Sequence, residues 1–302
     1  MIAQWTPDQI PNLQGKTAIV TGGNSGVGYY TALELAKHGA NVIIGSRDIK
    51  RGEDAVIKMK ETAPHIQVSV HQLNLAELQS VRHFANIMTK SLSGIDILIN
   101  NAGIMSVPTR ELTVDGFEMH LGTNHLGHFA LTGLLLPLIE TQNGRIVTVS
   151  ALSSQMGHID FSDLNMDKKY RPIAGYNRSK LANILFAREL NRRVKHKNVT
   201  SIAVHPGTSP TRISRNTSSG LKGSAQLLMK LLGTTPDISA WPSLIAATDD
   251  KVTGENYIGL RMNPFKDKTP VLVDFPKKSL DLQLAEKLWS VSEKLTDVHY
   301  QF

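Results

Sequence analysis

Cysteine is absent from all 302 residues, which excludes disulfides and thiolate metal sites outright. Nor is there an unbroken apolar run of the ~18 residues that a helical membrane span requires. Residues 1–14 hold no basic stretch followed by an apolar one, so no secretory leader is predicted and a cytoplasmic location is expected. The excess of one charge is modest, with 33 Lys and Arg against 26 Asp and Glu and a net charge of +7. A positive balance can signal nucleic acid, but the basic residues here are scattered. The one short cluster, Arg188, Arg192, Arg193, Lys195 and Lys197, falls at the end of a predicted helix, where cations favour the helix dipole. No nucleic-acid partner is expected. No carboxylate stands at ligand spacing from His125, His128 or His205, so these read as packing or hydrogen-bonding residues and no metal is expected.

What the chain does have is 41% hydrophobic residues, enough for a full core. Short β-branched runs alternate with longer amphipathic stretches, which predicts βαβ units on a parallel sheet. Strands are predicted at 17–20, 41–45, 66–71, 96–99, 145–149 and 200–204, with a weaker one at 256–258. Most are apolar throughout, as strands covered on both faces should be. Helices are predicted at 27–38, 49–62, 75–91, 114–140, 175–196 and 240–248. No repeat or low-complexity linker divides the chain, so a single α/β domain spanning 1–302 is expected, with a sheet of about seven strands flanked by helices.

Two segments stand apart. Residues 208–222 are rich in Ser, Thr, Gly and Pro and precede the apolar run 225–232. The segment 208–232 reads either as a flap over a site or as a surface crossover. The C-terminal extension 263–302 carries Pro264, Pro270 and Pro276, then an amphipathic stretch at 279–295 with Trp289.

The first predicted strand runs into Thr21-Gly22-Gly23-Asn24-Ser25-Gly26-Val27-Gly28 and then a helix. Glycines let such a turn adopt positive φ and let backbone approach a pyrophosphate, while the helix N-terminus offers unpaired N–H groups. The spacing, Gly-x3-Gly-x-Gly, differs from the commoner dinucleotide fingerprint, but the placement between strand and helix points to a nucleotide. Specificity is read at the end of the second strand, Gly45-Ser46-Arg47-Asp48. A carboxylate there would take the ribose diol of NAD, a cation the 2′-phosphate of NADP. Ser46 stands where the acid would, and Arg47 offers a planar fork suited to phosphate. Asp48 is the rival, though it is better placed to cap the helix that starts at Ile49. NADP(H) is favoured over NAD(H).

Tyr176 and Lys180 lie one helical turn apart, hence on one helix face. A free tyrosine titrates near 10, so half-ionising it near neutral pH means a drop of about three pH units, worth about 4 kcal/mol. A cation in a partly dry site, helped by a second positive charge, supplies that much. Lys180 is expected to lower the Tyr176 pKa, and the pair to transfer protons.

With these segments placed, the chain resembles the short-chain dehydrogenase/reductase family, and more closely its retinol dehydrogenase-like branch. The landmarks occur in order: the Thr21–Gly28 loop, Asn100-Asn101-Ala102-Gly103, Thr123-Asn124-His125-Leu126-Gly127-His128-Phe129, Tyr176-x3-Lys180, and His205-Pro206-Gly207. The resemblance covers essentially the whole chain. It implies a doubly wound, Rossmann-type sheet and an oxidoreductase that interconverts an apolar aldehyde or ketone and its alcohol. It implies that Gly22, Asn24, Ser25, Gly26, Val27 and Gly28 hold the cofactor, and that Asn101, Ala102 and Gly103 sit beside the adenosine ribose. Asn124 would hold a water-linked relay to Lys180, with Tyr176 as general acid/base and Lys180 bonding the nicotinamide ribose. Pro206, Gly207, Ser209 and Thr211 would approach the carboxamide and phosphate. Pairing into a homodimer or homotetramer through the helices at 114–140 and 175–196 is the family's habit.

Two positions depart from the pattern. Counting back from Tyr176 without gaps, the second serine of the family's Ser-Ser pair, a hydroxyl donor to the substrate oxygen, falls on Ala151. Ser150 takes the first position and should face the other way if the backbone stays extended. Ser153 can substitute only if the loop coils back. Ala151 therefore implies a slow enzyme, a substituted donor, or a cofactor-binding sensor derived from an enzyme. After the third strand, Gln72-Leu73-Asn74-Leu75 replaces the family's Asp-Leu, and the Asn74 amide oxygen can accept from adenine.

Overall fold

The computed structural model describes residues 5–105, 107–207, 234–260 and 269–302. The chain begins with β1 (Thr17–Thr21), α1 (Gly26–Lys37), β2 (Asn41–Ser46), α2 (Ile49–Thr62), β3 (Gln67–Gln72), α3 (Leu78–Ser91) and β4 (Ile97–Asn100). A short turn α4 (Met119–Leu121), a π-helical turn (Gly122–Leu126) and α5 (Gly127–Glu140) follow, then β5 (Arg145–Val149), a 3₁₀ turn (Leu152–Met156), α6 (Pro172–Arg193) and β6 (Thr200–Val204). The last elements described are α7 (Pro236–Thr248), β7 (Tyr257–Leu260), β8 (Pro270–Leu272) and α8 (Leu282–Thr296).

The strands form one sheet in the order β3-β2-β1-β4-β5-β6-β7-β8, parallel except for β8. Side chains alternate between its faces, yet nearly all are apolar, because helices cover both. Ala18, Val42, Ile97 and Val147 enter the core shared with α1 and α7, while Ile19, Ile43, Leu98 and Ile146 enter the one shared with α3, α5 and α6. β1 pairs with β2 on one side and β4 on the other, so strand order reverses there. In open α/β sheets the crevice at that reversal, beyond the strands' carboxyl ends, is where ligands bind.

The helix predicted over 114–140 is in fact broken. Gly116 turns with φ +82°, and the helical path starts only at Met119, where the Glu118 carboxylate accepts from His120 N and Leu121 N. The helix predicted from 75 starts at Leu78, because Asn74 Oδ1 holds Ala76 N in a turn and Asp115 Oδ2 takes Leu78 N. That predicted over 240–248 starts earlier, at Pro236, and α6 starts at Pro172, both at a first-turn position suited to proline's fixed φ. β8 is an additional, antiparallel edge strand of three residues; Pro270, which lacks an N–H, sits at its start. The tail helix α8 packs its Trp289, with Tyr300, onto Phe129 of α5 and Phe186 of α6. The part of those helices under the tail is thus not free for a second copy. Residues 208–232, with Ser209 and Thr211, lie outside the described residues. Among the described residues no helix is long and apolar enough to cross a membrane, and no group of His, Asp and Glu is placed to hold a metal ion.

Candidate active site

The glycine loop at the end of β1 is shaped by sterics. Gly22 and Gly26 take φ +67° and +58°, which L side chains rarely adopt. A Cβ on Gly28 would strike the Asn101 amide and stand 2.6 Å from Gly22 O. Ser25, at the N-cap of α1, turns no side chain back onto the helix, so the first-turn N–H groups keep their donors for a ligand. These features fit a pyrophosphate.

β1 is tied to β4 by a chain of bonds. Asn101 Nδ2 donates to Thr21 O at 2.8 Å, and the N–H groups of Asn101 and Ala102 both donate to Thr21 Oγ1 at 2.9 Å. The Thr21 hydroxyl lies 2.8 Å from His128 Nε2, closer than its other acceptor, Ile99 O, at 3.3 Å. His128 Nδ1 in turn lies 2.9 Å from Asn124 O. Burial pushes His128 down to about 4, so the ring is neutral near pH 7. A carbonyl can only accept, which puts the ring proton on Nδ1 and leaves Nε2 to accept from Thr21. One tautomer satisfies the chain from the glycine loop to the π-helical turn. Such turns recur at functional sites.

Asn124 spends its side chain on structure. Its Oδ1 accepts from Ile104 N at 2.8 Å, while Nδ2 donates to Ile104 O at 3.0 Å and to Ser179 Oγ at 2.9 Å. Ser179 Oγ donates to Tyr176 O. Gly103 lies between the partners: a Cβ there would stand 3.3 Å from Asn124 Oδ1 and 3.4 Å from Lys180 Nζ. Asn124, Gly103 and Lys180 are thus brought together, with Tyr176 one turn back on α6.

Lys180 is 4% exposed, its Nζ lies 5.9 Å from the Tyr176 ring centroid, and it donates to Val149 O at 3.0 Å. Burial lowers the ammonium to about 8 and raises the Tyr176 phenol to about 12. The expected lowering of the tyrosine is therefore absent from the chain on its own. Dehydration of the phenolate outweighs an ammonium that is itself dehydrated and bonded to a carbonyl.

That burial has a sign and a size. Lys180 loses its proton near 8 when folded but near 10.5 when unfolded. The folded state is penalised in full below pH 8, by about 3 kcal/mol, and the penalty lifts as pH rises from 8 to 10.5. Val149 O also accepts from Asn183 Nδ2 at 3.1 Å, so Lys180→Met would not orphan it. Lys180→Met should raise the melting temperature at pH 7 by a few degrees and flatten the rise in stability above pH 8. Calorimetry across pH checks this; a melting temperature lowered by as much contradicts it.

After β5 the backbone stays extended through Ala151 and then coils into the 3₁₀ turn Leu152–Met156. Ser150 is buried, and its hydroxyl donates to Lys180 O at 2.7 Å, so it is committed to the backbone of α6. Ala151 follows, extended (φ −153°, ψ 157°) and half-buried, with no donor on its side chain. The Ser153 hydroxyl is buried, has no hydrogen-bond partner among the described residues and makes no bond to Tyr176. Beyond β6, Gly207 takes φ +72° beside Pro206, and its N–H donates to His205 Nδ1 at 3.2 Å.

At the end of β2, Ser46 is buried with its hydroxyl on Asp48 O at 2.8 Å, whereas Arg47 is exposed. Asp48 Oδ1 accepts from Arg51 N at 3.1 Å and Oδ2 stands 3.2 Å from Arg51 Nε, so Asp48 is the cap of α2. Asn74 Oδ1 takes the turn N–H of Ala76, and Leu75 is buried beneath Gly127, where a Cβ would meet it at 2.9 Å. Thr21, Ser179, Asn183 and Glu118 were not singled out by their sequence. Each bonds a partner distant in the chain, Thr21 and Asn183 on backbone and Ser179 and Glu118 on the side chains of Asn124 and Arg178, and such bonds leave no local signature.

The profile of the short chain dehydrogenase family matches residues 16–222, which span every strand from β1 to β6 and both helices of the Asn124–Lys180 cluster. This chain belongs to the short-chain dehydrogenase family. It is 40% identical to human retinol dehydrogenase 13 over 294 residues, covering 94% of this chain and 85% of that protein. Human retinol dehydrogenase 14 is also 40% identical, over 297 residues, with 93% and 86% covered. An uncharacterised protein from Mycobacterium paratuberculosis has the same fold at TM-score 0.82 and 40% identity, with 99% of each chain covered. The fold is also that of a protein from Beutenbergia cavernae described as an NAD(P)-dependent gluconate 5-dehydrogenase and solved with NADP, at TM-score 0.65 and 23% identity over 84% of this chain and 97% of that one. The retinol dehydrogenase-like short-chain dehydrogenase seen here is an oxidoreductase, and the family uses a nicotinamide cofactor.

Proposed function

We propose that this dehydrogenase interconverts an apolar aldehyde or ketone and its alcohol with NADP(H), and does so slowly. The observation that carries this reading is the pair formed by half-buried Tyr176 and buried Lys180, set against Gly103 and Asn124 at the carboxyl end of the sheet's switch point. Gly22 to Gly28 would hold the pyrophosphate, Arg47 the 2′-phosphate, Asn74 and Leu75 the adenine, Asn101 to Gly103 the adenosine ribose, Lys180 the nicotinamide ribose and Gly207 the carboxamide. The nicotinamide, when bound, supplies or takes the hydride. Tyr176 gives its phenolic proton to the substrate oxygen during reduction and takes it back during oxidation. Its raised pKa keeps that proton in place until a positive charge is brought close. Lys180, neutral or charged near pH 8, is placed to reload it. The experiment is the loss of NADPH absorbance on mixing with a panel of apolar aldehydes. Ala151 supports a second reading, an NADP(H)-binding sensor with little turnover; cofactor binding without absorbance loss would favour it.

The preference for the phosphorylated cofactor rests on two residues. Asp48, the carboxylate that ends the β2 segment, is engaged with α2 and Arg51, while Arg47 is exposed and would offer its guanidinium to phosphate. Arg47→Ala should weaken NADPH binding about tenfold and leave NADH binding within about twofold. Fluorescence titration with both cofactors decides; equal weakening of the two removes Arg47 from 2′-phosphate recognition.

A further inference from the structure

A buried charge cluster beside Tyr176 has no part in the scheme above. Glu118 is 0% exposed, and all four of its lone-pair sites are used. Oε1 accepts from His120 N at 3.0 Å and His120 Nδ1 at 2.8 Å, and Oε2 from Leu121 N at 2.9 Å and Arg178 at 3.0 Å. Burial works to raise the carboxyl, but the bonds and charge from His120 and the bond from Leu121 hold it below its ordinary value. His120 is likewise 0% exposed, and its ring meets the Tyr176 ring edge-on with centroids 6.2 Å apart. Gly175, the residue before Tyr176, lies close against this contact: a Cβ there would be 3.1 Å from His120 Nδ1 and 3.2 Å from Glu118 Oε1.

One carboxylate therefore ties together two elements. On one side it caps α4, which runs directly into the π-helical turn with Asn124; on the other it holds Arg178, two residues beyond Tyr176 on α6. An apolar pair of similar size is often as stable as a buried ion pair, so stability alone does not account for the charges. Fixed placement does: a misplacement of about 1 Å can cost about 10²-fold in rate. We propose that Glu118 is a positioning residue, which through Arg178 and the oriented ring of His120 fixes the Tyr176 phenol relative to Asn124 and Lys180. The proposal rests on Tyr176 being the proton donor.

The test compares Glu118→Gln, alone and with Tyr176→Phe, and His120→Leu, which removes the ring wall but leaves the Glu118–Arg178 pair. Glu118→Gln should lower kcat about 10²-fold with NADPH affinity within about twofold, and should lower it no further in the Tyr176→Phe background. Loss of rate and affinity together, or a further loss without the phenol, overturns the proposal. A second readout needs no turnover: fluorine NMR of ring-fluorinated tyrosine, with the Tyr176 signal assigned by its disappearance in Tyr176→Phe. In His120→Leu that signal should move toward the value of exposed tyrosine, and an unmoved signal overturns the proposal. A wild-type protein that turns over no aldehyde refutes the proposed function, and the fluorine signal then decides the placement claim by itself.

Discussion

Ala151→Ser should raise kcat for aldehyde reduction by about 10²-fold, the scale on which one preorganised donor to a developing oxyanion acts. Substrate binding contributes little to that gain, because the bond tightens as negative charge builds on the oxygen. The backbone at 151 is already extended and follows Ser150, whose hydroxyl is drawn to Lys180 O. A hydroxyl at 151 is thus carried away from that bond by the alternation of the strand. Of the neighbouring hydroxyls, Ser150 is engaged with backbone, and that of Ser153 makes no bond to Tyr176. The comparison is steady-state kcat for both proteins with one aldehyde and saturating NADPH. An unchanged kcat would mean that the side chain at 151 does not face the reacting oxygen, or that another donor already serves it.

Tyr176→Phe should lower kcat by about 10³-fold, within the range for a positioned general acid. The substitution removes one oxygen and keeps the ring, so the edge-on contact with His120 and the packing of α6 survive. NADPH affinity should stay within about twofold, since the loop at Gly22 to Gly28 and Arg47 lies on other elements. The hydroxyl leaves a site that raises its pKa by burial, so its removal should not destabilise the fold. Loss of rate without loss of cofactor is the signature of a group that acts in the transition state alone.

Much of this was legible before the fold was known, and for identifiable reasons. The strands at Arg145–Val149 and Thr200–Val204 and the helix Ile49–Thr62 fall where they were predicted, because continuous apolar runs and a capping Asp48 are local signals. The break at Glu118 was not visible. A carboxylate that caps a turn while bonding an arginine sixty residues later cannot be read from its neighbours. β8 was hidden by its three-residue length and its proline. In the site, residue identities and spacing gave the Tyr176–Lys180 pairing, since one helix face is a matter of counting. The direction of the tyrosine's pKa was not legible, because it turns on how much water the fold removes from both groups.

The claim that Tyr176 passes a proton beside a bound nicotinamide is tested most directly by a single-turnover reaction. Protein loaded with one equivalent of NADPH is mixed with an apolar aldehyde, and the reduced-cofactor absorbance is followed for the wild type and for Tyr176→Phe. The wild type should consume its NADPH completely, while the variant binds the same cofactor and consumes it about 10³-fold more slowly. Equal rates for the two proteins, or no binding of NADPH by either, would contradict the account.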